Sequence, residues 1–331
     1  MPAEVVRAAL PPLTVVRVVL RAEEPQRLPR FFTTAVHGTL GRALYGMVCA
    51  FRERSGCADC PMLRRCAYPA LFETPGVDDP VLQDQGIRDM APRPLVIAPE
   101  PDWLTVPGPS RVYQPGDEVG LRLTLVSAAS ADLPLVCAAL ERMARSGLGL
   151  PLNHDGRERR RASLSLVRVE DWAGTPMSGL SGGVPPPVVV DADACFDGDH
   201  LGLHLLTPLR LTVAGRITGA PTPVDVIRAL ARRVNAFARF FGAAFAPADE
   251  GMAEELARSI DAERARLRRL NIRRWSSRQR RQLELPGVLG VLEWRGAALR
   301  SLWPLLRWGE LAQVGKGTSL GFGRYSLQPS S

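Results

Sequence analysis

The chain has 331 residues, of which 46% are hydrophobic, and 42 basic against 34 acidic residues give a formal net charge of +8. This length and composition allow a sizeable core and predict two domains. No run of roughly 18 apolar residues is present, and the first residues lack the charged-then-apolar order of a signal peptide. We therefore expect a soluble, cytoplasmic protein whose positive charge favours nucleic acid.

The first half of the sequence predicts the element order β-α-β-β-α-β. Alternating stretches predict strands, and apolar residues at helical spacing predict helices. In chain order these are a strand at Leu13–Arg21, a helix at Phe31–Arg54 with Thr33 or Thr34 near its cap, strands at Leu95–Ala98 and Val119–Val126, a helix at Leu133–Arg145 that Gly147 stops, and a strand at Ala162–Val169.

The same order repeats after a stretch from Trp172 to Pro187 that is dense in Gly, Ser and Pro. The predicted elements are strands at Leu201–Val213, Leu270–Ser276, Gly287–Trp294 and Phe322–Leu327, with helices at Val224–Phe241 and from Leu299 onwards. The predicted fold class is α+β, with two tandem ferredoxin-like modules. We place the N-terminal module at residues 1–171, a linker at 172–199 and the C-terminal module at 200–331.

A glycine-rich stretch lies between the last predicted helix and the last strand. Glycine lets a backbone turn sharply and present its N–H groups to an anion. The stretch follows a helix and enters a strand, the reverse of a nucleotide-binding P-loop, so a polynucleotide backbone is favoured over nucleotide hydrolysis. A tight turn that needs positive φ angles is the alternative. The residues predicted to contact phosphate are Gly315, Lys316 (the chain's single lysine), Gly317, Thr318, Ser319, Gly321 and Gly323.

Ten arginines and only two acidic residues lie between Arg258 and Arg281. A solvated helix face usually mixes the two signs, so this excess predicts contact with a polyanion. Trp275 is suited to stack on a base, and the neighbouring hydroxyl groups to bond phosphate oxygens. The residues predicted to contact nucleic acid here are Arg273, Arg274, Ser276, Ser277 and Arg278. A second basic cluster consists of Arg157, Arg159, Arg160 and Arg161.

Three cysteines, Cys57, Cys60 and Cys66, fall within ten residues, and Cys49 precedes them. Disulfides are rare in the cytosol, and the C-x2-C-x5-C spacing is typical of metal or cluster ligation. The order of all four is similar to the one that holds an iron–sulfur cluster in some DNA-repair glycosylases, with one more residue in the first gap. We therefore expect a structural zinc ion or iron–sulfur cluster at these four cysteines, with free thiols as the alternative.

Several stretches together resemble one known family. They are TTAVHGTLGRAL at 33–44, CADCPMLRRCAYPALFE at 57–73, LTPLRL at 206–211, WSSRQRRQLELPGVLGVLEW at 275–294 and LWPLLRWGELAQVGKGTSLGFGRY at 302–325. With them the chain resembles the CRISPR repeat-processing endoribonucleases of the RAMP superfamily, most strongly from Trp275 to Tyr325. The resemblance implies two ferredoxin-like modules, the first carrying a cysteine-bearing insertion at about residues 55–75.

The resemblance also implies an enzyme that cuts the precursor CRISPR transcript within each repeat without a metal ion. The ribose 2′-hydroxyl attacks the adjacent phosphate and leaves a 2′,3′-cyclic phosphate and a 5′-hydroxyl, which requires a base, an acid and positive charge. His37 lies where many relatives carry a catalytic histidine, and Arg42 where a basic residue often accompanies it. Some relatives place a tyrosine before this helix, but residues 21–32 contain none, which leaves Tyr45 as a substitute.

The implied partners are precursor CRISPR RNA and other subunits of a CRISPR effector complex, with no membrane and no cofactor for catalysis. One alternative is a catalytically inactive RAMP-type subunit that holds guide RNA in an effector complex, and His37 is the residue that separates this reading from the enzyme. A third reading is a nucleic-acid protein in which a metal cluster held by the cysteines is itself functional.

Overall fold

A computed structural model describes most of the chain. The described residues are 10–53, 56–73, 92–104, 108–150, 161–177, 183–188, 190, 196–241, 248–276 and 281–330. The chain forms two compact units, one of residues 14–187 and one of residues 188–331 together with residues 1–13. Within the described ranges, no helix combines the length and the apolar character needed to cross a bilayer.

The described residues of the N-terminal half form six strands and two α-helices. They are β1 (Leu13–Ala22), β2 (Gln26–Pro29), α1 (Thr33–Val48), β3 (Leu95–Pro99), β4 (Ser110–Tyr113), β5 (Glu118–Val126), α2 (Leu133–Ser146) and β6 (Leu164–Glu170). One sheet has the order β3-β5-β1-β6, and β2 and β4 form a separate two-stranded ribbon. The four strands of the larger sheet, with α1 and α2 as connections, follow the ferredoxin-like βαββαβ order.

Leucines at every second position of β5 contribute to the hydrophobic core of this unit. Leu121, Leu123 and Leu125 are fully buried at every second position and share one core with Leu40 of α1 and Leu140 of α2. Successive strand residues point to opposite faces, so the two helices cover one side of the sheet through these leucines.

The C-terminal half repeats this plan with additions. Its elements are β7 (His200–Leu209), β8 (Thr212–Val213), β9 (Arg216–Ile217), α3 (Pro223–Phe241), α4 (Glu250–Arg258), β10 (Asp261–Ser276), β11 (Arg281–Arg295), α5 (Leu299–Ala312) and β12 (Tyr325–Ser330). The sheet order is β10-β11-β7-β12, which is again ferredoxin-like, and β8 pairs only with β9. The prediction of two tandem ferredoxin-like modules is therefore confirmed.

Helix α5 lies close to its neighbours because Gly309 has no side chain. A Cβ atom at Gly309 would overlap the Tyr325 hydroxyl and the end of the Leu230 side chain. The buried Tyr325 hydroxyl donates a hydrogen bond to the Leu306 carbonyl at 2.6 Å. This contact ties β12 to α5, and burial raises the pKa of Tyr325 well above its ordinary value.

The first helix is shorter than predicted. The structure ends α1 at Val48 rather than at Arg54, because Cys49 has an extended backbone. The Arg52 side chain turns back and donates to the Gly46 carbonyl at 2.8 Å, satisfying an acceptor at the helix end. Neither Thr33 nor Thr34 is the N-cap: that position is Phe32, which makes no side-chain cap bond.

Two strands near the C-terminus also differ from the prediction. Strand β10 begins at Asp261, nine residues before the predicted Leu270, and pairs with β11 along its whole length. Strand β12 begins at Tyr325 rather than Phe322, because Gly321 and Gly323 both have left-handed φ angles. The sequence analysis did not predict α4, the β2–β4 ribbon or the β8–β9 ribbon.

The loop between α5 and β12 is held against the end of β7 by backbone hydrogen bonds. The Gly323 amide donates to the Pro208 carbonyl at 3.0 Å, and the Lys316 amide to the Arg210 carbonyl at 2.8 Å. Within the loop, the Val314 amide donates to the Gly323 carbonyl at 3.0 Å. Gly323 has a φ of +76°, and a Cβ atom there would overlap the Val314 carbonyl, so both conformation and space require glycine.

This geometry predicts that Gly323→Ala costs at least about 3 kcal/mol of unfolding free energy, because backbone strain and steric overlap add. Gly116→Ala is the matched control, since Gly116 also has a positive φ but nothing lies within 4 Å of the added Cβ. That variant should lose only about 1 kcal/mol. Calorimetric unfolding of both variants makes the comparison, and equal losses would refute the overlap at Gly323.

Candidate nucleic-acid interface and active site

Strands β10 and β11 form a long antiparallel hairpin that carries much of the positive charge of the chain. Their register runs from the pair Asp261 and Arg295 to the pair Ser276 and Arg281. The two strands contain eight arginines against four acidic residues. Because β10 is the edge strand of its sheet, these side chains flank a backbone edge that can meet an extended ligand.

Several hairpin arginines are neutralised by carboxylates. Glu293 lies 2.7 Å from Arg266, Glu284 lies 3.3 Å from Arg273, and Glu263 lies 2.6 Å from Arg295. By contrast, Arg268 and Arg269 are exposed, and neither has an ion-pair partner among the described residues. Arg268 and Arg269 therefore carry positive charge that no described carboxylate offsets.

The predicted contacts near the hairpin tip have mixed surroundings. Arg273 is exposed but paired with Glu284, whereas Arg274 is half-buried, and burial lowers its pKa. Trp275 is 66% exposed, as expected of a side chain available for stacking on a base. The Ser276 side chain, and all of Ser277 and Arg278, lie outside the described residues, as do Arg157, Arg159 and Arg160.

The glycine loop presents a side chain to solvent rather than a row of amides. Lys316 is exposed between Gly315 and Gly317, which are half-buried. The amides of Lys316, Leu320, Gly321, Phe322 and Gly323 donate to carbonyls within this unit. The amides of Gly321 and Gly323 are therefore engaged within the protein, and contact of the loop with phosphate stays a prediction.

The remaining loop residues predicted to contact phosphate are enclosed. Thr318 and Ser319 are 5% and 4% exposed, and Gly321 and Gly323 are buried. Arg210 supplies a second cation beside the loop, its guanidinium lying 5.2 Å from the centre of the Phe322 ring. Its Nε donates to the Pro286 carbonyl at 2.8 Å, and burial lowers its pKa. Lys316 and Arg210 are thus the cations that this loop region offers.

In the other unit, His37 lies on α1 and is half-buried against an aromatic ring. Its ring centre is 5.2 Å from that of Phe72, with the two planes inclined by 55°. Phe72 belongs to a short π-helical turn, Pro69–Glu73, and packs directly over Gly41 of α1. Gly41 thus makes room for the ring that contacts His37.

Arg42 and His37 do not share a helix face. An α-helix turns by about 100° per residue, so side chains five positions apart diverge by about 140°. Arg42 is exposed, whereas His37 is directed toward Phe72. The structure therefore gives no direct support for the predicted cooperation of the two residues.

Tyr45 is directed toward the cysteines rather than toward His37. Its hydroxyl is hydrogen-bonded to Cys49, and this bond raises the pKa of Tyr45. Its ring meets that of Tyr68 edge-on, with ring centres 5.1 Å apart. Tyr45 is accordingly a poor substitute for a second proton-transfer group.

The four cysteines predicted as metal ligands surround a single cavity of about 380 Å³. They are Cys49, Cys57, Cys60 and Cys66, and none of them forms a disulfide. Burial, followed by the charge of Glu73 and the other three cysteines, raises the pKa of Cys57 to about 11. In the described part of the chain, no three His, Cys, Asp or Glu side chains converge closely enough to hold a metal ion. The four predicted ligands therefore line one cavity, and metal ligation there stays a prediction.

Each of the two units has the ferredoxin-like strand order; the first bears a histidine on its first helix, and the second bears the arginine-rich hairpin. Residues 203–325 match the family model described as CRISPR-associated endoribonuclease Cas6. Residues 10–181, just over half of the chain, match AF_1859_N, which is described as an N-terminal domain. Over residues 203–325 the chain therefore belongs to the Cas6 family of CRISPR-associated endoribonucleases, and over residues 10–181 it carries the AF_1859_N domain.

Solved structures share the fold at low sequence identity. A Thermus thermophilus Cas6 matches with a TM-score of 0.56 and 18% identity, over 97% of this chain and 100% of that one. The product complex of the same Cas6 has a TM-score of 0.57 and 19% identity, over 96% of this chain and 99% of that chain. A chain of a partial Cas6-RT-Cas1–Cas2 complex has a TM-score of 0.59 and 13% identity, over 98% of this chain and 47% of that chain. A sequence search among curated proteins finds no match.

Sequence reasoning missed three residues that shape these sites. Phe72 contacts His37 across 35 positions of the chain, a separation that local periodicity cannot bridge. Arg210 lies next to the glycine loop only because β7 ends there. For Arg268 a signal was present, because arginines alternate with Ala265 and Leu267 in the period of a strand.

Substitution of Gly41 tests the packing beside His37. The Cβ of Gly41→Ala would lie 2.9 Å from Cδ1 of Phe72, so we expect a net loss of about 1–2 kcal/mol. Glycine to alanine in a helix ordinarily gains up to about 1 kcal/mol, and Gly38→Ala, with nothing within 4 Å of its Cβ, should show that gain. Chemical denaturation of both variants measures the two changes in unfolding free energy. Stabilisation by Gly41→Ala would contradict the observed position of Phe72.

Proposed function

We propose that this chain is a metal-independent endoribonuclease that cuts precursor CRISPR RNA once within each repeat. The observation that carries the proposal is membership of the Cas6 family in a chain that keeps a half-buried histidine on its first helix. The product-bound Thermus Cas6 of the same fold is consistent with an RNA ligand. The arginine hairpin, with its excess of positive charge, is a suitable surface for that ligand.

In the proposed reaction the RNA supplies its own nucleophile. The 2′-oxygen forms a bond to the adjacent phosphorus while the bond from phosphorus to the 5′-oxygen breaks, leaving a 2′,3′-cyclic phosphate and a 5′-hydroxyl. One proton leaves the 2′-hydroxyl and one reaches the departing 5′-oxygen. No water is consumed, so no metal-activated water is needed.

His37 is the group we assign to proton transfer. An imidazole titrates nearest to neutral pH, so it can both accept and donate a proton under physiological conditions. Contact with Phe72 restricts the His37 ring on one side. The side chain therefore loses less rotamer freedom when RNA binds.

Lys316 and the hairpin arginines are assigned to the sugar–phosphate backbone. Arg268 and Arg269 have no carboxylate partner in the described ranges, and Trp275 offers an exposed ring for base stacking. Lys316 extends from a loop that backbone hydrogen bonds hold in place, so its ammonium group starts from a fixed position. Arg273 contributes less, because Glu284 offsets its charge.

His37→Ala tests the catalytic assignment. Loss of a general acid or base typically costs about 10²–10⁴-fold in rate, so we expect a loss of that size with the Kd for repeat RNA unchanged. Single-turnover cleavage of repeat RNA in EDTA, followed on a denaturing gel, gives the rate. A 2′-deoxy substitution at the cut position should abolish cleavage by the wild-type protein.

Two variants on the same helix serve as controls for His37→Ala. Thr39→Ala removes a hydroxyl that bonds only to the Ala35 and Val36 carbonyls of the helix, and it should cleave at the wild-type rate. Arg42→Ala should lose much less activity than His37→Ala, since the two side chains point in different directions. Undiminished cutting by His37→Ala would refute the assignment, and wild-type protein that binds repeat RNA without cutting it would favour the guide-RNA-binding subunit instead.

Removal of two hairpin arginines tests the RNA interface. For single-stranded RNA, each phosphate contact adds about 0.7 to the slope of log Kd against log salt. Arg268→Gln with Arg269→Gln should therefore reduce that slope by about 1.4 and weaken binding at low salt. Arg145→Gln removes one charge from an exposed, ion-paired position on α2 and should leave the slope unchanged. Filter-binding titrations at several salt concentrations distinguish these results.

A further inference from the structure

The four cysteines of the N-terminal unit come from three different local structures. Cys49 ends α1, Cys57 and Cys60 flank a turn in which the Cys60 amide donates to the Cys57 carbonyl at 3.1 Å, and Cys66 directly precedes the turn that contains Phe72. All four line the same cavity. The eighteen residues from Cys49 to Cys66 thus return three times to one cavity.

The other walls of the cavity are largely apolar. Val48, Phe51, Met62 and Leu135 are among the side chains that line it. The pocket of about 380 Å³ is partly open to solvent, and its volume is sufficient for a metal ion or a small cluster between the half-buried thiols. Thiols are the preferred ligands of zinc and of iron–sulfur clusters, and four of them complete the coordination of either.

We propose that Cys49, Cys57, Cys60 and Cys66 hold a structural metal centre with four thiolate ligands, either a zinc ion or an iron–sulfur cluster. Ligation requires the side chains to rotate inward from their present positions around the cavity, because no three of them have converged. Cysteine has a single side-chain torsion before its sulfur, so this movement needs little change in the backbone. With four protein ligands the centre leaves no open position for substrate.

The position of this centre gives it an effect on His37. The backbone carbonyl of Cys66 accepts a hydrogen bond from the Ala70 amide at 3.3 Å, so Cys66 is attached to the turn that carries Phe72. Tyr68 of the same segment stacks on Phe72 at 5.8 Å, and Phe72 contacts His37. The metal centre would thus fix the segment that sets the orientation of the His37 ring, which makes the four cysteines positioning residues rather than catalytic ones.

Metal analysis of the protein tests this inference without any measurement of RNA cleavage. Wild-type protein purified anaerobically should contain about one zinc ion, or about four iron atoms with inorganic sulfide, per chain. Double substitution Cys57→Ser with Cys60→Ser should abolish metal binding, while Cys137→Ser, which alters a buried cysteine of α2, should retain it. Metal analysis together with visible absorption separates zinc from an iron–sulfur cluster.

Because the double variant could fail to fold, the wild-type protein is also stripped with chelator and titrated with zinc, or reconstituted with iron and sulfide. Uptake at one centre per chain, with a shift of the His37 imidazole NMR signal but not of the His204 signal, supports the proposal. Substoichiometric metal after both purification and reconstitution overturns it. Retention of metal by the folded double variant overturns the ligand assignment.

Discussion

The C-terminal unit depends on a short stretch of backbone pairing in which the loop after α5 lies against the end of β7. Glycines with left-handed φ angles at 315 and 323 let the two chain segments approach each other without side chains between them. The hydrogen bonds from Lys316 and Gly323 to the carbonyls of Arg210 and Pro208 then set where β12 can begin. Since β12 and α5 are joined through Tyr325, the same pairing also positions the last helix.

This constraint changes what the glycines contribute to function. The amides of Gly321 and Gly323 are engaged in holding the loop, which favours contact with RNA through the Lys316 side chain over contact through those two amides. The hairpin of β10 and β11 offers further positive charge to RNA, because most of its arginines lie along the edge strand β10. Charged side chains on an edge also discourage pairing with strands of other molecules, so a solubility role and an RNA-binding role favour the same residues there.

The sequence predicted the parts of the fold that follow from local periodicity. Strand β5 and helices α2 and α3 were placed within one or two residues, because alternating or helically spaced apolar residues dominate them. The first half of β10 was missed because charged residues occupy most of its positions and few apolar residues mark the strand, although the spacing of Ala265 and Leu267 has the period of a strand. The end of α1 was missed because it depends on Arg52 folding back onto the helix.

The candidate sites were predictable in residue type but not in arrangement. Histidine, arginine and cysteine spacing indicated the chemistry, whereas the contact of Phe72 with His37 and the burial of Thr318 and Ser319 arise from packing between distant segments. Ion pairing also depends on contacts between distant segments. Glu284 and Glu293 lie on β11, and the register of the hairpin determines which arginines have their charge offset by these carboxylates.

One consequence concerns chemical labelling. Every basic side chain of this protein except one is a guanidinium, and the exception, Lys316, stands exposed on the loop between α5 and β12. A reagent selective for side-chain amines therefore has a single target, positioned where RNA is proposed to pass. A fluorophore or cross-linker attached there would report on occupancy of this loop without any engineered cysteine.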